Sequence, residues 1–157
     1  MRIFKIAFEP KRTGARLALI ALLTSLLLAN GSPAHAAPDI TGNWRTPAGA
    51  VIQIRNCGNA PCGQIVRFKP PKGYTMKTTP DANNKDASKK KRKVLGLKVL
   101  WRLKPGSNNW KGRVYDPRRG FSANATVRKK GNAALEIQGC VRVVFNVCEK
   151  EIWQRVK

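Results

Sequence analysis

Seven carboxylates are the side chains on which acid–base chemistry in residues 37–157 would depend. They are Asp39, Asp81, Asp86, Asp116, Glu136, Glu149 and Glu151. Paired carboxylates could serve a glycosidase, but Glu136 and Glu151 lie on predicted terminal strands, at positions compatible with surface salt bridges. Asp116 precedes Pro117 in a turn, where Asp is expected for geometry alone. We therefore predict no catalytic residues, and we keep a carboxylate-dependent enzyme acting on a glycan or cell-wall substrate as the last alternative.

The only histidine, His35, falls within a predicted signal peptide at residues 1–36. Basic residues at positions 2, 5, 11, 12 and 16 precede the apolar run Leu17–Leu28, and Ala34-His35-Ala36 resembles an A-x-A cleavage site. The run is too short for a membrane span, which needs ~20 residues. Cleavage after Ala36 would remove the imidazole that Ser-His-Asp and Cys-His catalysis requires. We expect a bacterial periplasmic or secreted protein, with no transmembrane segment after cleavage and no enzymatic activity.

All four cysteines lie after the predicted cleavage point, at positions 57, 62, 140 and 148. An even number in an oxidising compartment predicts two disulfides. Three connectivities are open, and the short spacings favour the local pairs Cys57–Cys62 and Cys140–Cys148. A zinc site of four thiolates is the rival, but the spacing between Cys140 and Cys148 is wider than such sites use. We predict no metal and no cofactor.

Residues 81–86, with the sequence Asp-Ala-Asn-Asn-Lys-Asp, place oxygen ligands at alternating positions, as a calcium loop does. The segment lacks the turn glycine and the bidentate glutamate of an EF-hand, so we favour side chains that cap the loop's own amides. Tyr115 is the aromatic residue that we expect on a solvent-exposed face. The candidate ligand-binding residues are Asp81, Asn83, Asn84, Asp86, Arg92 and Tyr115.

Basic residues dominate residues 37–157, where 26 basic and 7 acidic side chains give a net charge of +19. Such a charge favours polyanions and anionic membranes, although it also serves solubility alone. The run 89–93 is Lys-Lys-Lys-Arg-Lys, which is typical of a nucleic-acid patch or of a solvated loop. In an exported protein, anionic lipid headgroups or lipopolysaccharide are closer at hand than DNA, so we expect no nucleic-acid partner.

Period-two alternation of apolar and polar residues recurs after the leader and predicts an all-β domain spanning residues 37–157. The strongest strand pattern places Leu95, Leu97, Val99, Trp101 and Leu103 on one face. Turn sequences separate the runs, as at Pro105–Asn109 and Asp116–Gly120. About eight short strands favour a small antiparallel up-and-down β-barrel, with a two-sheet sandwich as the alternative. A long basic loop at about 70–95 is expected to cross one end of the sheet.

Gly42-Asn43-Trp44 opens the first predicted strand, and Arg155 lies near the last one. A Gly-x-Trp at the start of a meander barrel with a late basic residue resembles the calycin and lipocalin signature. In that signature the tryptophan plugs the closed end of the barrel, and the arginine packs over its ring as a cation–π pair. The resemblance therefore implies that Trp44 and Arg155 form such a pair.

A longer ordered set of motifs resembles the bacterial exported proteins grouped as the domain of unknown function 2147. The motifs are Gly42–Trp44, Cys57-Gly58 with Cys62–Val66, Asp81–Asp86, Gly96-Leu97, Val114–Pro117 and Trp153–Arg155. The resemblance covers nearly all of residues 37–157 and implies a lipocalin-like barrel with a periplasmic or secreted location. Gly42, Trp44, Asp116, Pro117 and Arg155 are its structural signature, and it brings no established activity. The lysine-rich run before Gly96 and the Cys140–Cys148 segment are departures from its pattern.

Our first hypothesis is a non-enzymatic lipocalin-like binding protein for a small amphipathic or anionic ligand of the cell envelope. The second is an interaction module that docks on acidic partners, anionic lipid or lipopolysaccharide through its basic surface. The first hypothesis predicts an apolar cavity under the long loop, whereas the second requires none. The enzyme requires two carboxylates that flank a cleft.

Overall fold

The computed structural model describes residues 37–157, so the predicted signal peptide lies outside the described residues. Eight antiparallel strands form a closed barrel in which each strand pairs with the next along the chain, and the last pairs with the first. The strands are β1 Gly42–Arg45, β2 Val51–Asn56, β3 Pro61–Arg67, β4 Lys98–Pro105, β5 Trp110–Asp116, β6 Phe121–Lys130, β7 Ala134–Arg142 and β8 Asn146–Val156. The predicted all-β up-and-down barrel is therefore confirmed, and the two-sheet sandwich is wrong. Within residues 37–157, no helix is long and apolar enough to cross a membrane.

The strand predicted from Leu95 to Leu103 begins three residues later, at Lys98. Its alternation also breaks, because Val99 and Leu100 are both buried while Trp101 is half-buried. Arg102 adopts φ +54°, and the register of β4 against β5 shifts between Trp101 and Lys104. This irregularity in β4 changes which side chains face inward, so strict alternation does not describe the strand.

One end of the barrel is closed by Ile40 and Trp44, both almost completely buried. The indole Nε1 of Trp44 donates to the carbonyl of Ile40 (2.9 Å), which holds the N-terminal segment across this end. The guanidinium carbon of Arg155 lies 4.2 Å from the Trp44 ring centroid, confirming the predicted cation–π pair. Gly42 has φ +127°, and a Cβ there would lie 2.5 Å from Nη1 of Arg155. Only glycine leaves room for the arginine at this position.

Both predicted disulfides are present, Cys57–Cys62 and Cys140–Cys148, and no cysteine of the described residues is free. Cys57–Cys62 spans the turn between β2 and β3. Cys140 and Cys148 are register partners on β7 and β8, so their disulfide fastens one hairpin across its two strands. The four-thiolate zinc site is therefore wrong.

The barrel is closed between β1 and β8 by few residue pairs. Only three residue pairs join the two strands, from Asn43↔Val156 to Arg45↔Gln154. Within the described residues, the earlier part of β8 pairs with β7 alone. Glu149, Lys150 and Glu151 lie along that edge, and such charges disfavour pairing with a strand of another molecule.

Candidate ligand-binding site

The end of the barrel opposite Trp44 opens into a cavity of about 250 Å³. It lies among the ends of β1, β3, β5 and β7, the starts of the strands that follow them, and the loop between β3 and β4. Apolar side chains form its walls: Ile52, Ile65, Val99, Val114, Ala123 and Ile137. Trp153 also contributes and is buried, with its Nε1 donating to Glu151 (2.9 Å). The interior can therefore take an apolar group.

Charged side chains surround the mouth of this cavity and are joined by ion pairs. Nη2 of Arg118 contacts both Asp116 (3.0 Å) and Glu151 (3.2 Å). Arg119 contacts Asp116 (3.6 Å) and Glu149 (2.6 Å). The hydrogen bond from Arg118 to Asp116 raises the pKa of this guanidinium, which stays charged. Three mouth carboxylates are thus held by two arginines.

Four of the six candidate residues come together in one buried polar cluster, which we call the loop latch: Asp81, Asn84, Arg92 and Tyr115. The Tyr115 hydroxyl donates to the Asp81 carboxylate, with distances of 2.7 and 2.8 Å to its two oxygens. Asn84 Nδ2 donates to the same carboxylate (2.8 Å) and to the Tyr115 oxygen (2.7 Å). Arg92 Nε donates to Asp81 (2.8 Å), and its guanidinium lies 5.0 Å from the Tyr115 ring centroid. The polar groups of the latch therefore form their hydrogen bonds mainly with one another.

The prediction that Tyr115 lies on a solvent-exposed face is wrong, because this residue is buried (6% exposed). Burial, followed by its hydrogen bond to Asp81, raises the pKa of Tyr115 to about 12. The phenol is therefore protonated at neutral pH and donates to the carboxylate. Its ring also contributes to the cavity wall, so Tyr115 connects the latch to the cavity.

Asn83 fastens the same loop to the turn between β5 and β6. Its Nδ2 donates to the carbonyl of Arg118 (3.0 Å), and the amide of Lys85 donates to that of Gly120 (3.2 Å). The loop passes so close that a Cβ on Gly120 would overlap the Asn83 carbonyl oxygen. Asp116 begins this turn and accepts from the Arg118 amide (2.9 Å), the geometric role expected of Asp before Pro117.

Asp86, the sixth candidate, lies outside the latch and caps a short 3-10 helix, Ala87–Lys89. Its carboxylate accepts from the amide of Ser88 (3.0 Å), as the capping interpretation predicts. Hydrogen bonds from Lys89 and then Ser88 lower the pKa of Asp86 to about 2. In residues 37–157, no three or more His, Cys, Asp or Glu side chains are grouped to hold a metal ion. Side-chain oxygens of Asp81, Asn84 and Asp86 instead accept hydrogen bonds from protein donors.

Other sequence expectations are met in part. Glu136 forms a salt bridge with Arg128 (2.9 Å), as Glu151 does with Arg118, so both are the ion-pair residues predicted. Trp101, which the strand pattern placed on an apolar face, is half-buried and packs against the core, as Trp110 does. Arg118 and Arg119, at the mouth of the cavity, were not predicted as site residues. The signal for them was available, because Arg118 and Arg119 follow Asp116 in a turn that ends at the same side of the barrel as the long loop.

The comparisons with known proteins agree with this architecture. No curated protein matches the chain. A similar solved structure is protein HP1028 from Helicobacter pylori, which is described as belonging to the lipocalin family. It has 17% sequence identity and a TM-score of 0.63, over 76% of this chain and 84% of that chain, which establishes a shared fold. The family model for an uncharacterized protein conserved in bacteria, DUF2147, matches residues 42–155. This match includes all eight strands except the last residue of β8, and the chain belongs to the DUF2147 family.

Proposed function

We propose that this chain is an exported, non-enzymatic binding protein that holds the apolar part of a small amphipathic molecule in its barrel. The observation that supports the proposal is the apolar cavity of about 250 Å³, open at one end of a barrel that Trp44 closes at the other. Ligand sites are commonly concave, mostly apolar and found in the mouths of β-barrels. The fold that the chain shares with a lipocalin-family structure supports the same proposal.

The size of the cavity limits the ligand. Its volume is just below the ~300–1,000 Å³ of sites for drug-sized molecules. The occupant is therefore a compact apolar group or a single chain of a larger lipid. A polar head would remain at the mouth, where Lys69, Arg118 and Arg119 supply donors.

The preference for an anionic head arises from the whole domain rather than from the mouth. Three basic and three acidic side chains line the mouth, so their charges balance. The net charge of +19 on residues 37–157 surrounds that neutral mouth with a positive field. Such a field raises the local concentration of anions and the rate at which they bind.

The state of the acidic residues supports a binding role over a catalytic one. Asp116, Glu149 and Glu151 converge at the mouth, but each is in contact with an arginine. Asp81 is bound by Tyr115, Asn84 and Arg92. Carboxylates held in this way are already bound by protein donors, whereas a glycosidase needs two carboxyl groups available to flank the scissile bond. The two disulfides and the predicted leader support export to the periplasm or beyond.

Titration with 8-anilinonaphthalene-1-sulfonate, an anionic amphipathic fluorophore, tests the proposal. We expect enhanced emission on binding to the native domain, with one saturable site. Ala123→Phe should abolish this binding, because Ala123 lies in the cavity wall and is 7% exposed, so a phenyl ring fills the space. Ala133→Phe is the matched control, because Ala133 is exposed in the turn between β6 and β7 at the closed end.

The neutral probe N-phenyl-1-naphthylamine separates the cavity from the charge. Binding of both probes, with the anion bound more tightly at low salt, would support a cavity that takes apolar groups within a positive field. Equal binding of the anion to native protein and Ala123→Phe, or binding of neither probe, would refute the proposal. Circular dichroism of each variant establishes that the barrel is folded.

A further inference from the structure

The tip of the β7–β8 hairpin presents three consecutive apolar residues to solvent. Val143, Val144 and Phe145 are 74%, 89% and 72% exposed. They are the most exposed large apolar side chains of the described residues, and Val147 beside them is 41% exposed. An apolar patch of this kind on a small protein marks an interaction surface.

The hairpin projects this tip away from the barrel wall. The register of β7 with β6 ends at Cys140, and within the described residues the hairpin beyond it pairs only with itself. Val143 is the third residue after Cys140, so the tip lies about 10 Å further along the strand. The Cys140–Cys148 disulfide joins the strands at the base of this extension. The tip is therefore held out from the barrel on a covalently fastened support.

Positive charge shares this end of the barrel with the tip. The loop of residues 68–97 carries nine basic and two acidic side chains. Its latch and its contacts with the β5–β6 turn hold it at the open end, where Val141 and Val147 of the hairpin also lie. Lys89, Lys90, Lys91 and Lys93 are exposed, and Arg142 flanks the tip. An apolar tip beside a basic surface complements a bilayer, whose anionic headgroups lie over an apolar interior.

We propose that the open end of the barrel docks on an anionic phospholipid bilayer, with Val143–Phe145 inserted among the lipids and the basic loop against the headgroups. The tip's length matches the ~5–10 Å to which interfacial apolar groups enter a membrane. In this orientation the mouth of the cavity faces the bilayer. The docking does not depend on which ligand, if any, the cavity holds.

Flotation with vesicles tests the docking. We expect the native domain to float with vesicles of equal parts phosphatidylglycerol and phosphatidylcholine, and to remain behind with phosphatidylcholine alone. Added salt should weaken the binding, since it screens the basic loop. The double variant Val144→Ser with Phe145→Ser should bind at least tenfold more weakly, because it removes most of the inserted apolar surface.

Ile152→Ser is the matched control, because Ile152 is also exposed (43%) on β8 but lies on the barrel wall. It should float like the native domain. Equal flotation of the double variant and native protein would overturn the proposal, and so would flotation that is independent of phosphatidylglycerol. Sedimentation velocity without vesicles adds a further test. A native dimer that the double variant dissociates would assign the tip to a second copy of this chain instead.

Discussion

Replacing Tyr115 by Phe removes one hydroxyl from the loop latch while keeping the ring. The hydroxyl makes the only hydrogen bond that the described residues give to Oδ1 of Asp81. Arg92 and Asn84 both donate to the other oxygen, Oδ2, so they do not replace the lost donor. Asn84 also loses an acceptor. The variant therefore leaves one oxygen of a buried carboxylate without its donor.

The expected cost follows from these contacts. A hydrogen bond to a charged group contributes ~1.5–3 kcal/mol, and an unsatisfied buried polar atom costs a similar amount. Because Asp81 is 1% exposed, water does not replace the hydroxyl without movement of the loop. We expect a loss of about 2–3 kcal/mol in the free energy of unfolding, which lowers Tm by roughly 10 °C in a domain of this size.

Urea unfolding followed by circular dichroism, with both disulfides oxidised, measures this loss. Tyr74→Phe is the matched control, because Tyr74 lies in the same loop and is 49% exposed. It should change the unfolding free energy by less than about 0.5 kcal/mol. If Tyr115→Phe were as stable as Tyr74→Phe, the latch would not be the interaction that fastens the loop, and the reasoning would fail.

Two further predictions concern Tyr115 and the approach of the loop to Gly120. The pKa of Tyr115 is raised from 10.0 to about 12 in the folded protein, so folding favours the protonated phenol. The stabilisation that the protonated phenol contributes is fully present below pH 10 and is lost as the pH rises from about 10 through 12. The free energy of unfolding, measured across this range, should therefore fall in native protein and fall less in Tyr115→Phe. Gly120→Ala should destabilise the domain more than Gly131→Ala. Both glycines have positive φ, which costs an alanine ~1–2 kcal/mol, but only at Gly120 would the Cβ also meet the Asn83 carbonyl. Thermal unfolding compares them, and equal Tm losses would show that the loop does not lie against this turn.

The residue pattern predicted the fold better than the site, for a physical reason. Strand pairing between neighbours depends on local alternation and turns, which are visible along the chain. The contact of Tyr115 with Asp81 joins residues 34 positions apart, and alternation in β5 assigned that tyrosine to the opposite face. A buried carboxylate with three donors overrides the period-two pattern, because the phenol gains a hydrogen bond only by facing inward. The pairing of Trp44 with Arg155 was predicted across a longer separation, but only through resemblance to a known signature.

The position of the cavity has an origin in the sequence that alternation alone does not reveal. Along β6 the buried side chains grow from the open end toward the closed end, in the order Ala123, Ala125, Val127. Along β7, which runs the other way, the residues that face the core and then the cavity become smaller, from Leu135 through Ile137 to Gly139. Small side chains thus meet at the open end and leave space, whereas large ones fill the barrel near Trp44. Opposite size gradients on successive antiparallel strands therefore locate a cavity at one end of the barrel. By the same reasoning, Ala123→Phe should fill the cavity, while the large side chains around Leu135 keep the barrel folded.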